Sequence, residues 1–178
     1  MHTLKWEDFV EDCGRKVIFN NGVRAKRNFE SKYAGNIITW NGVLQTKIDK
    51  SRIDDPSIGA AFLIKMNPSD SKEEYPDIQL IFFNKEAEKF KAIFDQAQPG
   101  DVVRFKAVMR KMGDEFHYHH FEAQEVSLTG EKVDLNSIPM IEYVGNIDNK
   151  LRREKPDNAL PASVPAIKAE ETQTPQNS

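Results

Sequence analysis

The chain has 178 residues, 25 Lys and Arg against 28 Asp and Glu, a net charge of −3 and an isoelectric point near 5.9. That length suits one domain with a real core plus extensions, and the charge gives no global attraction to nucleic acid or anionic membrane, so only local basic faces remain. No apolar run approaches the roughly 20 residues of a membrane helix, and Met1 to Glu7 shows no apolar signal core. The expectation is a soluble, unsecreted chain without direct membrane insertion, cytoplasmic by default.

Trp6, Phe9, Val10 and Cys13 fall at i, i+3, i+4 and i+7, the one-face spacing of a short amphipathic helix that Gly14 ends. Cys13 is the lone cysteine, which rules out an intrachain disulfide and a multi-Cys zinc site; it reads as a small buried apolar residue rather than a reactive thiol. Asn20-Asn21-Gly22 is a turn signal. Arg24 to Tyr33 reads as a second helix with Ala25, Phe29 and Tyr33 on one side and a solvated basic face opposite.

Gly35 to Ile48 is the best strand, dense in β-branched and aromatic residues. Ile38, Trp40, Leu44, Thr46 and Ile48 share one parity and are expected to face the core, and Gly42 marks a bulge or bend. Asp49 to Gly59 is a loop by composition, Ala60 to Met66 the second strand, and Asp77 to Phe83 the third. Asn84 is placed to cap a helix carrying Ala87, Phe90, Ile93, Phe94 and Ala97, which Pro99-Gly100-Asp101 stops. Val102 to Met109 and Glu115 to Leu128 follow as strands four and five, joined by a turn at Met112-Gly113-Asp114.

The order β-β-β-α-β-β, with a first strand bent to pair on both sides, predicts a mainly β protein, a five-stranded OB-fold barrel; an antiparallel α+β sandwich would give a similar pattern. Residues 1–34 form a helical N-terminal cap, 35–130 the barrel, 131–148 a docking extension and 149–178 a disordered tail of Pro, Ala, Glu, Gln, Thr and Ser. Lys150, Arg152, Arg153 and Lys155 at its start read as solvated linker.

Trp6-x-x-Phe9-x-x-x-Cys13-Gly14, Gly35-x-Ile37-Ile38-Thr39-Trp40-x-Gly42, Asp77-Ile78-x-Leu80, Phe90-Lys91, Gly100-Asp101-Val102-Val103-x-Phe105 and Phe121-Glu122 resemble the C-terminal region of wolframin in order and spacing. The resemblance spans roughly Leu4 to Gly130. It implies an OB-fold and a non-catalytic interaction domain. In that family the module ends an endoplasmic-reticulum membrane protein linked to calcium homeostasis and the stress response.

OB-folds bind across strands two and three and in the loops joining strands one to two and four to five. The candidate ligand-binding face is Lys47, Lys50, Arg52, Phe62, Lys65, Phe82, Phe83, Arg110 and Lys111. Basic residues with exposed aromatics would suit single-stranded nucleic acid. Phe82 and Phe83, being adjacent, cannot both face the core, and an acidic chain favours a protein or peptide partner instead. His117 and His119 share one side of strand five, half of a metal site; no further ligand pattern accompanies them, and a solvated strand face with no metal and no cofactor is the reading. There is no phosphate loop, nucleophile elbow or His-Glu-x-x-His helix, so no catalytic residue is assigned and the protein is not expected to be an enzyme.

Overall fold

The computed structural model describes residues 3–72, 75–114 and 117–141. Two helices come first, α1 (Trp6–Cys13) and α2 (Arg15–Asn28), the latter running into a π-turn at Phe29–Tyr33. Then come β1 (Ile37–Asp49), β2 (Ile58–Lys65), β3 (Ile78–Phe83), α3 (Ala87–Gln96), β4 (Asp101–Lys111) and β5 (His119–Lys132). The second helix thus begins earlier than its spacing predicts. Asn20-Asn21-Gly22 is a kink inside it rather than a turn before it: Asn21 leaves helical geometry (φ −161°, ψ 83°), and its Oδ1 accepts from the Arg24 N–H at 3.0 Å, capping the second half.

The molecule is mainly β. Its five strands form one mixed sheet whose hydrogen-bonded ring closes in the order β1-β2-β3-β5-β4. All neighbours are antiparallel except β3 and β5, which run parallel with Leu80 opposite Phe121. β1 closes the ring because its first half pairs with β4, Trp40 opposite Phe105, and its second half with β2, Lys47 opposite Phe62. The bulge lies between Leu44 and Thr46, not at Gly42. It reverses the parity of everything after it, so Thr46 and Ile48 leave the face that Ile38, Trp40 and Leu44 share and turn outward.

Gly42 is required for a different reason. A Cβ there would lie 2.3 Å from Cγ2 of Ile64 and 3.0 Å from Sδ of Met66, so the strand passes under β2 only where it carries no side chain.

The interior of the ring is filled by Ile38, Leu44, Phe62, Ile64, Ile78, Leu80, Phe82, Val103, Phe105 and Phe121. Both ends are plugged by helices. At one end Trp6 and Phe9 of α1 pack on Trp40 and Phe121, and the Trp6 and Trp40 indoles donate to the carbonyls of Pro68 and Leu4. At the other, Phe90 and Phe94 of α3 stack on Phe82 and Phe62, with centroids 4.8 and 5.7 Å apart. Asn84 makes no side-chain cap to this helix; its amide holds Lys50 and Pro56 of the β1–β2 loop. After β5 the chain returns along the β2–β3 connection, the Ser69 N–H donating to Pro139 O at 2.9 Å. The expected tail at 149–178 lies outside the described residues.

Gly42→Ala forces Ile64, a stiff β-branched side chain, to move within a filled core. Urea unfolding is expected to show a loss of about 1–3 kcal/mol with the m-value unchanged.

Candidate functional site

With the interior filled and both ends covered, two places are left to a ligand: a cleft of about 200 Å³ where α3 meets the sheet, lined by Gly59, Ala60, Phe82, Phe90 and Phe94, and the broad outside of the sheet. Alternation identifies its members, because Phe62, Leu80 and Phe82 point inward and their neighbours therefore point out. Register then brings those neighbours together: Thr46 beside Leu63 beside Gln79, and Ile48 beside Ala61 beside Ile81, with Ile58 beside Phe83 at one end. From Ile58 to Leu63 on β2, and across the facing positions of β1 and β3, no outward side chain is charged. Ile58, Ala61 and Ile81 are buried within the face; Ile48, Leu63 and Phe83 stay half-buried and reachable. The face continues onto β5 through His120, paired with Gln79, and Glu122, paired with Ile81.

Of the nine residues picked from sequence, Phe83 lies on this face; the others divide between its rims, the β2–β3 connection and the interior. Lys50 and Arg52 are exposed in the β1–β2 loop at one end, next to Phe83; Arg110 and Lys111 are exposed where β4 leaves the sheet at the other. Arg110 is engaged with Glu122, its Nε donating at 2.8 Å and Nη2 lying 2.6 Å from the same carboxylate oxygen. Phe62 and Phe82 are not on the face. They are 0% and 1% exposed and carry the floor against which α3 packs, so neither can stack a base. Lys47 turns inward with its partner Phe62, donates to Phe94 O at 2.9 Å and lies over the Phe94 ring, tying down the end of α3.

Lys65 is the largest departure from the sequence reading. Its position in β2 points outward, yet it is 3% exposed, because the β2–β3 connection folds over it and its Nζ donates to the carbonyls of Ser71, Lys72 and Tyr75. Burial pulls its pKa below the usual lysine value, opposed by the charge of Asp77. Asp77 organises that connection, accepting from the N–H groups of Met66 and Asp70 and the hydroxyls of Ser69 and Ser71. Burial raises its pKa against those four bonds. These are structural groups rather than ligand-binding ones.

The histidines separate as well. His117 precedes β5 and is exposed beside Asp114, whereas His119 is buried, its Nδ1 accepting from the Gly113 N–H at 2.8 Å and its ring against Phe9. They cannot share an ion, and no cluster of three or more metal-ligating side chains occurs among the described residues. Cys13 is buried with its Sγ directed at Ala25 O, and burial pushes its pKa up to about 12, which leaves it protonated and unreactive. Sequence reasoning missed Ile48 and Leu63 as outward-facing, half-buried residues, since their apolar character reads as core; the bulge at Gln45 that turns Ile48 outward has no sequence mark.

The class defined so far is a small, closed, five-stranded β protein whose outward positions on β2 are uncharged from Ile58 to Leu63, as are those facing them on β1 and β3. No family model and no curated protein matches the chain. Among solved structures it is similar to an OBody bound to hen egg-white lysozyme, at 10% identity and a TM-score of 0.41 over 55% of this chain and 80% of that one. A second OBody bound to hen egg-white lysozyme gives 12% and 0.38 over 56% and 86%. Among the described residues no helix is long and apolar enough to cross a membrane.

Burial lowers the His119 pKa from 6.5 to about 3, so the folded protein holds it neutral while the unfolded chain takes up a proton below 6.5. Its contribution to stability is full above pH 6.5 and is lost as pH falls toward 3, by up to about 1.4 kcal/mol per pH unit. Unfolding free energies measured between pH 7 and 4 should fall, and the slope should flatten in His119→Gln.

Proposed function

We propose that the ring is an OB-fold barrel and that the protein is a non-catalytic binding module holding a protein or peptide partner across the outer face of β1, β2 and β3. Supporting the fold are the strand order, the parallel pairing of β3 with β5 and the single helix between β3 and β4. The observation that carries the function is the composition of that face: Ile48, Leu63 and Phe83 reachable around buried Ile58, Ala61 and Ile81, with Thr46 and Gln79 the only polar side chains between its charged ends. An apolar centre with a polar rim is the anatomy of a protein-binding surface. Because the sheet closes on itself, the partner is held by side-chain contacts on the face more than by added strand pairing.

A single-stranded nucleic acid is the second reading, favoured by the cations at the two ends, Lys50 and Arg52 against Arg110 and Lys111, with Phe83 as a stacking ring. Against it, no cation lies between those ends, and Phe62, Phe82 and Lys65 are withdrawn into the fold. The resemblance to the wolframin C-terminal region supports this proposal only as a shared architecture. Its most specific residues, Trp6, Phe9, Cys13, Trp40 and Gly42, all serve the plug and the barrel, and none lies on the outer face. A compartment or a role in calcium homeostasis does not follow from them.

Peptides selected by display on the intact protein are expected to carry apolar or aromatic anchors. Leu63→Asp or Phe83→Ala should weaken them at least about tenfold, while Lys50→Ala with Arg52→Ala should change affinity by less than about threefold. Peptide binding that ignores Leu63→Asp, or oligonucleotide binding that weakens with salt and with Lys111→Ala, would refute this reading.

A further inference from the structure

The two most exposed large apolar side chains of the described residues both belong to α2. Phe19 is 79% and Val23 71% exposed, four residues apart on α2 across its kink at Asn21. Every residue from Phe19 to Arg24 is exposed, and Ala25 is the only buried residue of the helix, so the kinked middle is an exposed corner that presents both apolar side chains to solvent. The helix holds no Asp or Glu. Its charged residues are Arg15 and Lys16 before the apolar pair and Arg24, Lys26 and Arg27 after it, the last three exposed. The neighbouring acid Asp12 is engaged by Lys32 and by the Tyr33 hydroxyl rather than by this collar. Glu7 and Glu11 on α1 and Glu30 just after α2 are exposed and make the local field less positive than α2 alone would give.

We propose that the corner of α2 is a second interaction surface, which docks the protein on an anionic lipid bilayer by inserting Phe19 and Val23 between headgroups while Arg24, Lys26 and Arg27 meet the lipid phosphates and carboxylates. Two apolar side chains this exposed enclose no ligand between them, and they suit a soft planar surface that can admit them. A basic collar around an apolar pair is the chemistry of peripheral membrane association. Val23 offers no ring to stack on a base, which sets the pair apart from a nucleic-acid platform. The attachment is reversible, since two side chains bury far less than a spanning helix, and salt weakens it because its charges are exposed.

The test is co-flotation of the full-length protein with vesicles of phosphatidylcholine alone and with about 30% phosphatidylserine. Partitioning into the anionic vesicles is expected, reduced by high salt. It should fall at least about tenfold in F19S/V23S, and similarly in R24Q/K26Q/R27Q. All five positions are exposed, so circular dichroism and the unfolding midpoint should stay those of the unaltered chain. Leu63→Asp should leave partitioning unchanged, which separates this surface from the sheet face. Absence of partitioning, partitioning that survives F19S/V23S, or equal partitioning into neutral vesicles would overturn the proposal. So would a chain that ignores vesicles and binds a uridine oligomer through Arg24, Lys26 and Arg27.

Discussion

The burial of Phe9 in the mouth of the barrel is the contact on which the rest of the structure depends. Its ring is fully buried and meets Trp6, Phe29, Tyr33, Trp40, His119 and Phe121 at centroid distances of 4.8 to 6.3 Å, several of them edge to face. These partners come from the N-terminal helices, from β1 and from β5. One side chain therefore joins the cap to the sheet and the sheet to itself. Aromatic packing of this kind adds about 0.5–1.5 kcal/mol per pair beyond the area buried, and the lost volume of a Phe9→Ala change would open the barrel end.

Plugging both ends has a functional consequence. A small ring with a filled interior has no room inside it for a ligand, which leaves the outer surface and the cleft beside α3. The polar groups follow the same logic. Asp77 and its four hydrogen-bond donors fix the β2–β3 connection, and the Arg15 N–H donates to Asp70 at 2.7 Å, tying that connection to the start of α2. Buried polar networks stabilise when every member has a partner, and this one withdraws Lys65 from the surface, leaving the outer face of β2 uncharged from Ile58 to Leu63.

Much of this was legible in the sequence where periodicity is clean. The spacing of Trp6, Phe9, Val10 and Cys13 locates the helix that plugs the barrel, and the density of Ile38, Thr39 and Trp40 locates the strand that closes it. Legibility stops where apolar runs lose alternation. Ala60 to Ile64 and Leu80 to Phe83 are apolar on both faces, so nothing in them says that Phe62 and Phe82 turn in while Leu63 and Phe83 turn out. Lys65 was unreadable for another reason: its burial is imposed by carbonyls six to ten residues further on, a tertiary contact that local pattern does not encode. His117 and His119 share a strand parity only if the strand starts before them, and β5 starts at His119.

We propose that ligand recognition occurs on the outer face of β1, β2 and β3 and not at the basic ends. Methyl NMR of the full-length protein, titrated with a display-selected peptide, tests it most directly, because Ile48, Ile58, Leu63 and Ile81 report the face while Ile64 and Leu80 report the interior. Saturable shifts concentrated at the first four are expected, with Ile64 and Leu80 nearly unmoved. Shifts that bypass those four and gather around the loops holding Lys50, Arg52 and Lys111 would contradict it.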